Sequence, residues 1–240
     1  MQSLVTKAIV LAAGRGTRMG ALTEDLPKPM LPVAGRPLLE HVLNHLQGAG
    51  ISEVGLIVGY RREVIEQHFA SYPLRITFIH QEVINGTAGA AKLARSFVGD
   101  HCFLMTFGDI WCGPADYRRI LAPVEAEPDV EATLAVKFVE DPFQGAAVYE
   151  DQNGFVSRII EKPPRGTSST HWNSAGIYCF RPSVFAEIDR VPLSSRGEYE
   201  ITSAIEQMIE GGKKLRAVEV KGDWRDIGRP EDLASAGSLS

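Results

Sequence analysis

The chain has little cysteine, no long apolar run and no large charge of either sign, and each shortage excludes a class of protein. Its three cysteines, Cys102, Cys112 and Cys179, form no CxxC pair and leave an odd count, which argues against a disulfide framework or a zinc knuckle. They read as buried or half-buried small apolar residues. The longest apolar runs are strand-sized and the N-terminus lacks the apolar core of a signal peptide, so no membrane association is expected and the cytoplasm is the default location. A net charge of −5, with acidic and basic residues interspersed, leaves no broad footprint for a nucleic-acid backbone. Cations that meet phosphate must act locally. No repeat or low-complexity linker divides the 240 residues, a length that suits one large domain.

What is present is a regular alternation. "KAIVLA", "VGLIVG", "RITFIH" and "CFLMTFGD" are strand-like runs separated by the helical patterns "LLEHVLNHLQGAG", "RREVIEQHFA" and residues 87–94. This is the signature of β-α-β units around a mostly parallel sheet, an α/β fold. Pro37 suits the first turn of its helix, and glycines 48 and 50 stop it. After Val130 three strand-like runs follow in succession, "EATLAVKFV", "GAAVYE" and "FVSRIIEKP", the last two joined by "DQNG". They predict an antiparallel lobe with a hairpin at Asn153-Gly154. Helical patterns resume at "SVFAEI" and "EYEITSAIEQMIEGG", followed by a strand "LRAVEVKG" and a short helix opened by Pro230. "PRGTSSTHW" reads as a polar, mobile loop.

The first strand runs into "LAAGRGTRMGALTEDLPKPM". Only two glycines of a dinucleotide-binding G-x-G-x-x-G are in place, because Met19 holds the third position, and Gly14 and Lys28 are too far apart for a Walker A loop. A permissive backbone remains, at the carboxyl end of a strand where open α/β sheets bind ligands. Its N–H groups can face phosphate oxygens. Arg18 adds a planar two-point contact, and Lys28 sits on a segment stiffened by Pro27 and Pro29.

With these residues in place, "LAAGRGTRMGALTEDLPKPMLPVAGRPLL" resembles the signature of sugar-1-phosphate nucleotidylyltransferases, the NDP-sugar pyrophosphorylases, which runs roughly LAAGxGTRxxPLTxxxPKPMxxxxxxPLL. It departs at Ala21, where the family has proline. The resemblance implies a Rossmann-like, GT-A-like fold in which residues 1–130 mainly bind nucleotide and residues 131–240 mainly bind sugar, with no C-terminal β-helix domain. It implies that Leu11, Ala12, Ala13, Gly14, Gly16 and Thr17 bind the nucleotide and that Arg18 and Lys28 are the catalytic cations. In "HQEVINGTAGA" the matching positions are Gln81 and Gly86 for the base, with Thr87 beside them; an amide offers a base edge both a donor and an acceptor.

"FLMTFGDIW" ends a strand with Asp109, and "WRDIGRPEDL" places Asp226 before a glycine and a proline. Either aspartate alone suits a turn or helix cap, and either suits Mg²⁺, which takes a few carboxylate oxygens together with phosphate and water. The resemblance makes both of them metal ligands. "RIIEKPP" and "WNSAGIYCF" match the family's E-K-P and N-x-G-I-Y, which implies that Glu161, Lys162 and Asn173 hold the sugar phosphate, with a backbone contact from Gly145. Here "NSAGIY" carries one residue more than N-A-G-I-Y, so Asn173 and Ser174 compete for the sugar. Glu198 and Glu200 of "GEYEITSAI" suit either a place near the sugar pocket or a capping and surface role. His41 and His45, spaced i,i+4, lack the Glu of H-E-x-x-H and a third ligand, and are read as helix surface.

The reaction expected is attack of a sugar 1-phosphate on the α-phosphorus of an NTP, UTP or dTTP being favoured, with Mg²⁺ as cofactor and a homodimer implied by the family. A phosphocholine cytidylyltransferase on the same scaffold would need an aromatic or acidic choline pocket instead of the E-K-P and N-x-G-I-Y pair. A non-catalytic regulatory subunit would be marked by loss of the arginine, lysine or aspartates, and all are retained.

Overall fold

In a computed structural model that describes residues 5–236, thirteen strands and eight helices follow in chain order. The first four and last four residues, with the N-terminal end and the tail after the last helix, lie outside the described residues. The strands are β1 (Lys7–Ala12), β2 (Pro32–Val33), β3 (Arg36–Pro37), β4 (Glu53–Val58), β5 (Arg75–His80), β6 (Phe103–Phe107), β7 (Ile110–Cys112), β8 (Val130–Phe138), β9 (Ala146–Glu150), β10 (Val156–Glu161), β11 (Trp172–Phe180), β12 (Lys214–Glu219) and β13 (Trp224–Asp226). The helices are α1 (Leu38–Gly48), α2 (Arg62–Phe69), α3 (Thr87–Leu93), α4 (Arg95–Val98), α5 (Pro114–Ala126), α6 (Val184–Ile188), α7 (Ile201–Glu210) and α8 (Pro230–Ala236). Among the described residues no helix is long and apolar enough to cross a membrane.

Nine strands form one sheet in the order β10-β9-β11-β6-β1-β4-β5, with β8 and β12 continuing beyond β11. The segment from β6 to β5 is parallel. Its central strand β1 is covered on both faces, Ala8, Ile9 and Val10 being fully buried, which is why it reads as an unbroken apolar run rather than an alternation. One face packs α1, α2 and α5 through Leu39, Leu43, Ile65, Phe69 and Tyr117. The other packs α3, α6 and α7 through Ala91, Phe185, Ile205 and Met208. Each fully buried leucine of this kind contributes about 2 kcal/mol by removal from water, and the two apolar stripes make the fold a helix-sheet-helix sandwich.

The expected antiparallel lobe is an extension of this same sheet. Strand β11 runs antiparallel to β6 and β8, and β9 and β10 form the predicted hairpin. The hairpin turn is held by Asp151, whose Oδ1 accepts from the N–H groups of Asn153 (2.8 Å) and Phe155 (2.9 Å), with Gly154 at φ 73°. Helix α5 was not foreshadowed by the sequence pattern, since Pro123 interrupts it; the proline sits in the last turn, where its carbonyl takes the N–H of Glu127.

Two features of this topology create openings. Strand β1 has β4 on one side and β6 on the other, so the strand order reverses beside it, and a crevice opens past the carboxyl ends of β1 and β6. Strand β11 is forked: residues 178–180 pair with β6, whereas Asn173 pairs with Ala147 of β9 on the same edge. Residues 175–177 between them carry a bulge with Gly176 at φ 72°, and the cleft in the fork faces the end of β6.

Candidate active site

The glycine-rich segment leaves β1 and enters a 3₁₀ turn over Thr17–Thr23. Gly16 stands at φ 64°, and a Cβ there would lie 2.7 Å from the Cβ of Lys28. The glycine therefore lets the lysine stem cross beneath the loop. Lys28 is 6 % exposed, an unusual place for an ammonium, and it is paired: Nζ donates to Asp109 Oδ2 at 2.5 Å. Its backbone is fixed by the flanking prolines and by Met30 N–H donating to Pro27 O at 2.8 Å. Where the family pattern has proline, Ala21 is compensated by side chains from the β4–α2 turn. Tyr60 Oη lies 2.8 Å from Glu24 O and 3.1 Å from Thr23 O, and Arg61 also donates to Glu24 O.

A cavity of ≈ 320 Å³ opens above this loop. Leu11, Ala12, Ala13, Gly14, Gly16 and Thr17 form one wall, Gln81, Gly86 and Thr87 another, and Arg18 and Lys28 the end. All the residues assigned to the nucleotide on sequence resemblance thus face one space, together with Ile84, which the sequence reading passed over. Gln81 is buried, with its N–H on Val58 O (2.8 Å) and its Nε2 donating to Asn85 Oδ1 (3.2 Å). Gly86, at φ 106°, is crossed by the backbone of Tyr199, whose O would be 2.4 Å from a Cβ. Thr87 Oγ1 accepts from Ile201 N–H at 2.8 Å and so caps α7 from a distant part of the chain.

A second, larger cavity of ≈ 970 Å³ fills the fork of β11. Gly145, Glu161, Lys162, Asn173 and Asp226 line it, and Arg18, Thr87, Phe107, Asp109 and Glu198 line both cavities. The segment "NSAGIY" runs into the bulge, and both contenders, Asn173 and Ser174, line this cavity with different partners. Asn173 Oδ1 would be 2.2 Å from a Cβ on Gly145, so its amide fills the cavity wall there. Ser174 is buried with Oγ 2.8 Å from Tyr178 Oη. Lys162 stands at φ 42°, uncommon for a residue with a side chain, and is held there by its N–H donating to Gly145 O at 2.7 Å.

Arg196, unnoticed in the sequence, organises the acidic side of this cavity. Its Nη2 donates to Glu200 Oε2 (2.7 Å) and Glu161 Oε1 (3.4 Å), and its Nε to Glu200 Oε1 (3.0 Å). Burial, followed by the neighbouring Glu200, raises the Glu161 carboxyl above the usual carboxylate range, against the opposing pull of Arg196 and Lys162. Glu200 is thus a buried ion-pair partner, while Glu198 faces the cavities. Residues 196–200 form a turn ahead of α7 and carry no helical period, so the spacing of Arg196 and Glu200 gave no signal of their pairing.

Asp109 and Asp226 meet through the β7–β13 ribbon, in which Asp226 is opposite Ile110 and Ile227 N–H donates to Asp109 O at 3.1 Å. The ribbon is anchored by Trp224 Nε1 on Ala175 O (2.9 Å) and by Asp116, which accepts the N–H groups of Lys221 (3.0 Å) and Gly222 (2.9 Å). Asp226 is open toward the cavity, yet the cleft walls and then the charge of Asp109 push its carboxyl up, with Lys28 and Arg18 opposing. Two oxygen donors crowded in this way suit a hard divalent cation that completes its shell with phosphate and water. No group of three or more metal-ligating side chains occurs among the described residues.

Three readings outside the site are resolved as well. His41 and His45 are half-buried rather than surface residues: both rings pack on Trp111 (centroids 4.9 and 5.2 Å), His41 Nε2 lies 2.8 Å from Val33 O, and burial lowers the pKa of His45. Trp111 comes from the unforeseen strand β7, which is why the helix pattern alone left these histidines looking exposed. Cys112 and Cys179 are buried and Cys102 is half-buried. The loop read as mobile is tied at several points: Gly166 N–H on Asp141 Oδ2 (2.8 Å), Thr170 Oγ1 on Val148 O (2.8 Å), and Arg165 over the Phe143 ring (5.0 Å).

Comparison with known proteins bears on this arrangement. A family model described as "Nucleotidyl transferase" matches residues 7–239. The low-salt glycan biosynthesis nucleotidyltransferase Agl11 of Haloferax volcanii is 37% identical over 239 residues, covering 97% of this chain and 65% of that protein. The UTP–glucose-1-phosphate uridylyltransferase AglF of the same organism is 35% identical over 241 residues, covering 96% and 94%. The chain spans 53% of the length of the bifunctional GlmU protein of Methanococcus maripaludis that it also matches. A crystal structure of UDP-glucose pyrophosphorylase complexed with UDP-glucose shares the fold, with a TM-score of 0.89 at 20% identity over 98% of each chain. The chain is a member of the nucleotidyl transferase family, in the sugar-1-phosphate nucleotidyltransferase group that its motifs resemble.

Proposed function

We propose that this protein joins a pyrimidine nucleoside triphosphate, UTP or dTTP, to a sugar 1-phosphate, giving the NDP-sugar and pyrophosphate. The observation that carries the reading is the meeting of two cavities at Arg18 and Asp109. One is walled by a glycine loop suited to a triphosphate, and the other by carboxylates, an amide and a lysine suited to a phosphorylated sugar. A reaction between the occupants takes place where the walls are shared. An oxygen of the sugar phosphate forms a bond to the α-phosphorus as the bond to the bridging oxygen breaks, and the electron pair leaves with pyrophosphate. The nucleophile is already ionised at neutral pH, so no residue is needed to remove a proton.

The protein's own part is alignment and charge. Loop N–H groups and Arg18 hold the triphosphate, Lys28 stands beside Asp109 at the junction, and Lys162, with Asn173 and Glu161, holds the sugar phosphate. Asp109 and Asp226 are the residues that would hold Mg²⁺, and its chemistry when bound is to neutralise phosphate charge in the in-line displacement. The fixed left-handed backbone of Lys162 keeps its ammonium on the cavity side.

Pyrophosphate release, measured with Mg²⁺ over the common NTPs against a panel of sugar 1-phosphates and phosphocholine, tests the reading. A signal with UTP or dTTP and a sugar 1-phosphate, lost on chelation, is expected. A signal confined to phosphocholine, or silence from a folded protein across the panel, would overturn it.

A further inference from the structure

We infer that Asn85 is a specificity-determining positioning residue: it pins the amide of Gln81 in one sense and so separates uracil and thymine from cytosine. The inference rests on the nucleotide assignment of the smaller cavity. Gln81 is the buried amide of that cavity, and a glutamine side chain can turn over to exchange its carbonyl and amino groups. Uracil and thymine present an N3 donor beside a position-4 acceptor, whereas cytosine presents an N3 acceptor beside a position-4 donor. A free amide satisfies either order by rotating through half a turn. A pinned amide satisfies one.

The pin is visible. Gln81 Nε2 donates to Asn85 Oδ1 at 3.2 Å. An amide nitrogen carries two hydrogens, and the one directed away from its own carbonyl can serve Asn85 while the other stays beside Oε1. The donor–acceptor edge that a base would meet is left intact.

Asn85 is itself constrained on three sides. Its backbone carbonyl accepts from Tyr199 N–H at 2.8 Å. Its Oδ1 occupies the space above Gly89, where a Cβ would come within 2.1 Å. The next residue, Gly86, is clamped under the Tyr199 backbone. These contacts hold the Asn85 backbone and crowd its side chain, and in the observed orientation its Oδ1 would face Gln81 Oε1 if the glutamine turned. The loop 81–86 and the start of α3 thus act as a frame around a single amide.

The test compares the intact protein with Asn85→Ala and Asn85→Asp, reading kcat/KM for UTP, dTTP and CTP with one sugar 1-phosphate, and binding of UTP and CTP by calorimetry. Aspartate accepts but cannot donate, so Asn85→Asp keeps the pin. The expected result is that the ratio of UTP to CTP falls by roughly tenfold in Asn85→Ala, the scale of one oriented hydrogen bond, and is held in Asn85→Asp. Equal slowing on all three nucleotides in Asn85→Ala, with the ratio unchanged, would show a structural role only and overturn the inference. So would loss of the ratio in both variants. Should Asn85→Ala fail to fold, Asn85→Ser, with a hydroxyl too short to reach Gln81, replaces it under the same criteria. If the unaltered protein turns over no NTP, the enzymatic reading fails, while the UTP and CTP binding ratio still decides the role of Asn85.

Discussion

The two cavities are built in opposite ways. The smaller is walled largely by backbone and by residues with little or no side chain: Ala12, Ala13, Gly14, Gly16 and Gly86. The larger is walled by long charged side chains, among them Glu161, Lys162, Arg165, Arg196 and Arg229. A cavity made of backbone is rigid and depends on what is missing, since an added methyl group collides at Gly16 and at Gly86. A cavity made of paired charges can be retuned by single substitutions, which suits the side we propose for the sugar phosphate.

The largest effect should come where the two constructions meet. Arg18→Ala and Asp109→Asn are each expected to lower the rate of pyrophosphate release by about a hundredfold or more; Tm should stay close to that of the unaltered protein in Arg18→Ala and fall in Asp109→Asn, which leaves the buried Lys28 ammonium without its carboxylate, and near-normal turnover in either would refute the shared-wall reading. The comparison itself is tested by a pair of glycines. Gly86→Ala drives a Cβ into the Tyr199 backbone at a strained φ, whereas Gly145→Ala meets the Asn173 amide. KM for the nucleotide should rise in the first and KM for the sugar phosphate in the second, by roughly tenfold each on the scale of a lost hydrogen bond or two. A rise in both constants in both variants would mean that the cavities are not separable.

A subtler effect concerns Glu161. Its carboxyl titrates above the ordinary range in the folded protein, so the folded state holds its proton more tightly and stability falls as pH rises between the ordinary and the raised value. Glu161→Gln should therefore raise Tm at pH 7, relative to the unaltered protein, and the difference should shrink at about pH 3, below the ordinary glutamate value. Sugar-phosphate binding should weaken at the same time. A Tm that drops at pH 7 would contradict the assignment. The smallest effect is expected from Tyr60→Phe, which removes one tie on the glycine loop; about 1 kcal/mol should appear as a severalfold rise in nucleotide KM with kcat little changed.

The same contrast explains what could be read in advance. Most residues of the smaller cavity sit in two stretches, 11–18 and 81–90, at the ends of strands that announce themselves by apolar runs, so strand positions and loop contents were legible together. The fork of β11, the ribbon of β7 with β13 and the helix α5 were not. Each depends on long-range pairing or on burial that overrides a local breaker such as Pro123. The packing of His41 and His45 on Trp111 was hidden for the same reason, because Trp111 lies far away in sequence, and Arg196 was hidden because its pairing with Glu200 falls in a turn and its contact with Glu161 is long-range. The Asn173 and Ser174 pair shows why: one inserted residue leaves two alignments open, and both side chains line the larger cavity, Asn173 against Gly145 and Ser174 against Tyr178.

The ladder between β6 and β11 joins the strand that leads to Asp109 to the strand whose other end carries Asn173. Moving residues 178–180 away from β6 would tear backbone hydrogen bonds in the middle of a buried sheet, so adjustment of one cavity relative to the other falls on the bulge at residues 175–177 and on the segments at the mouth, residues 139–145, 163–171 and 193–200. Amide exchange on ligand binding should change there while β6 and residues 178–180 of β11 stay equally protected.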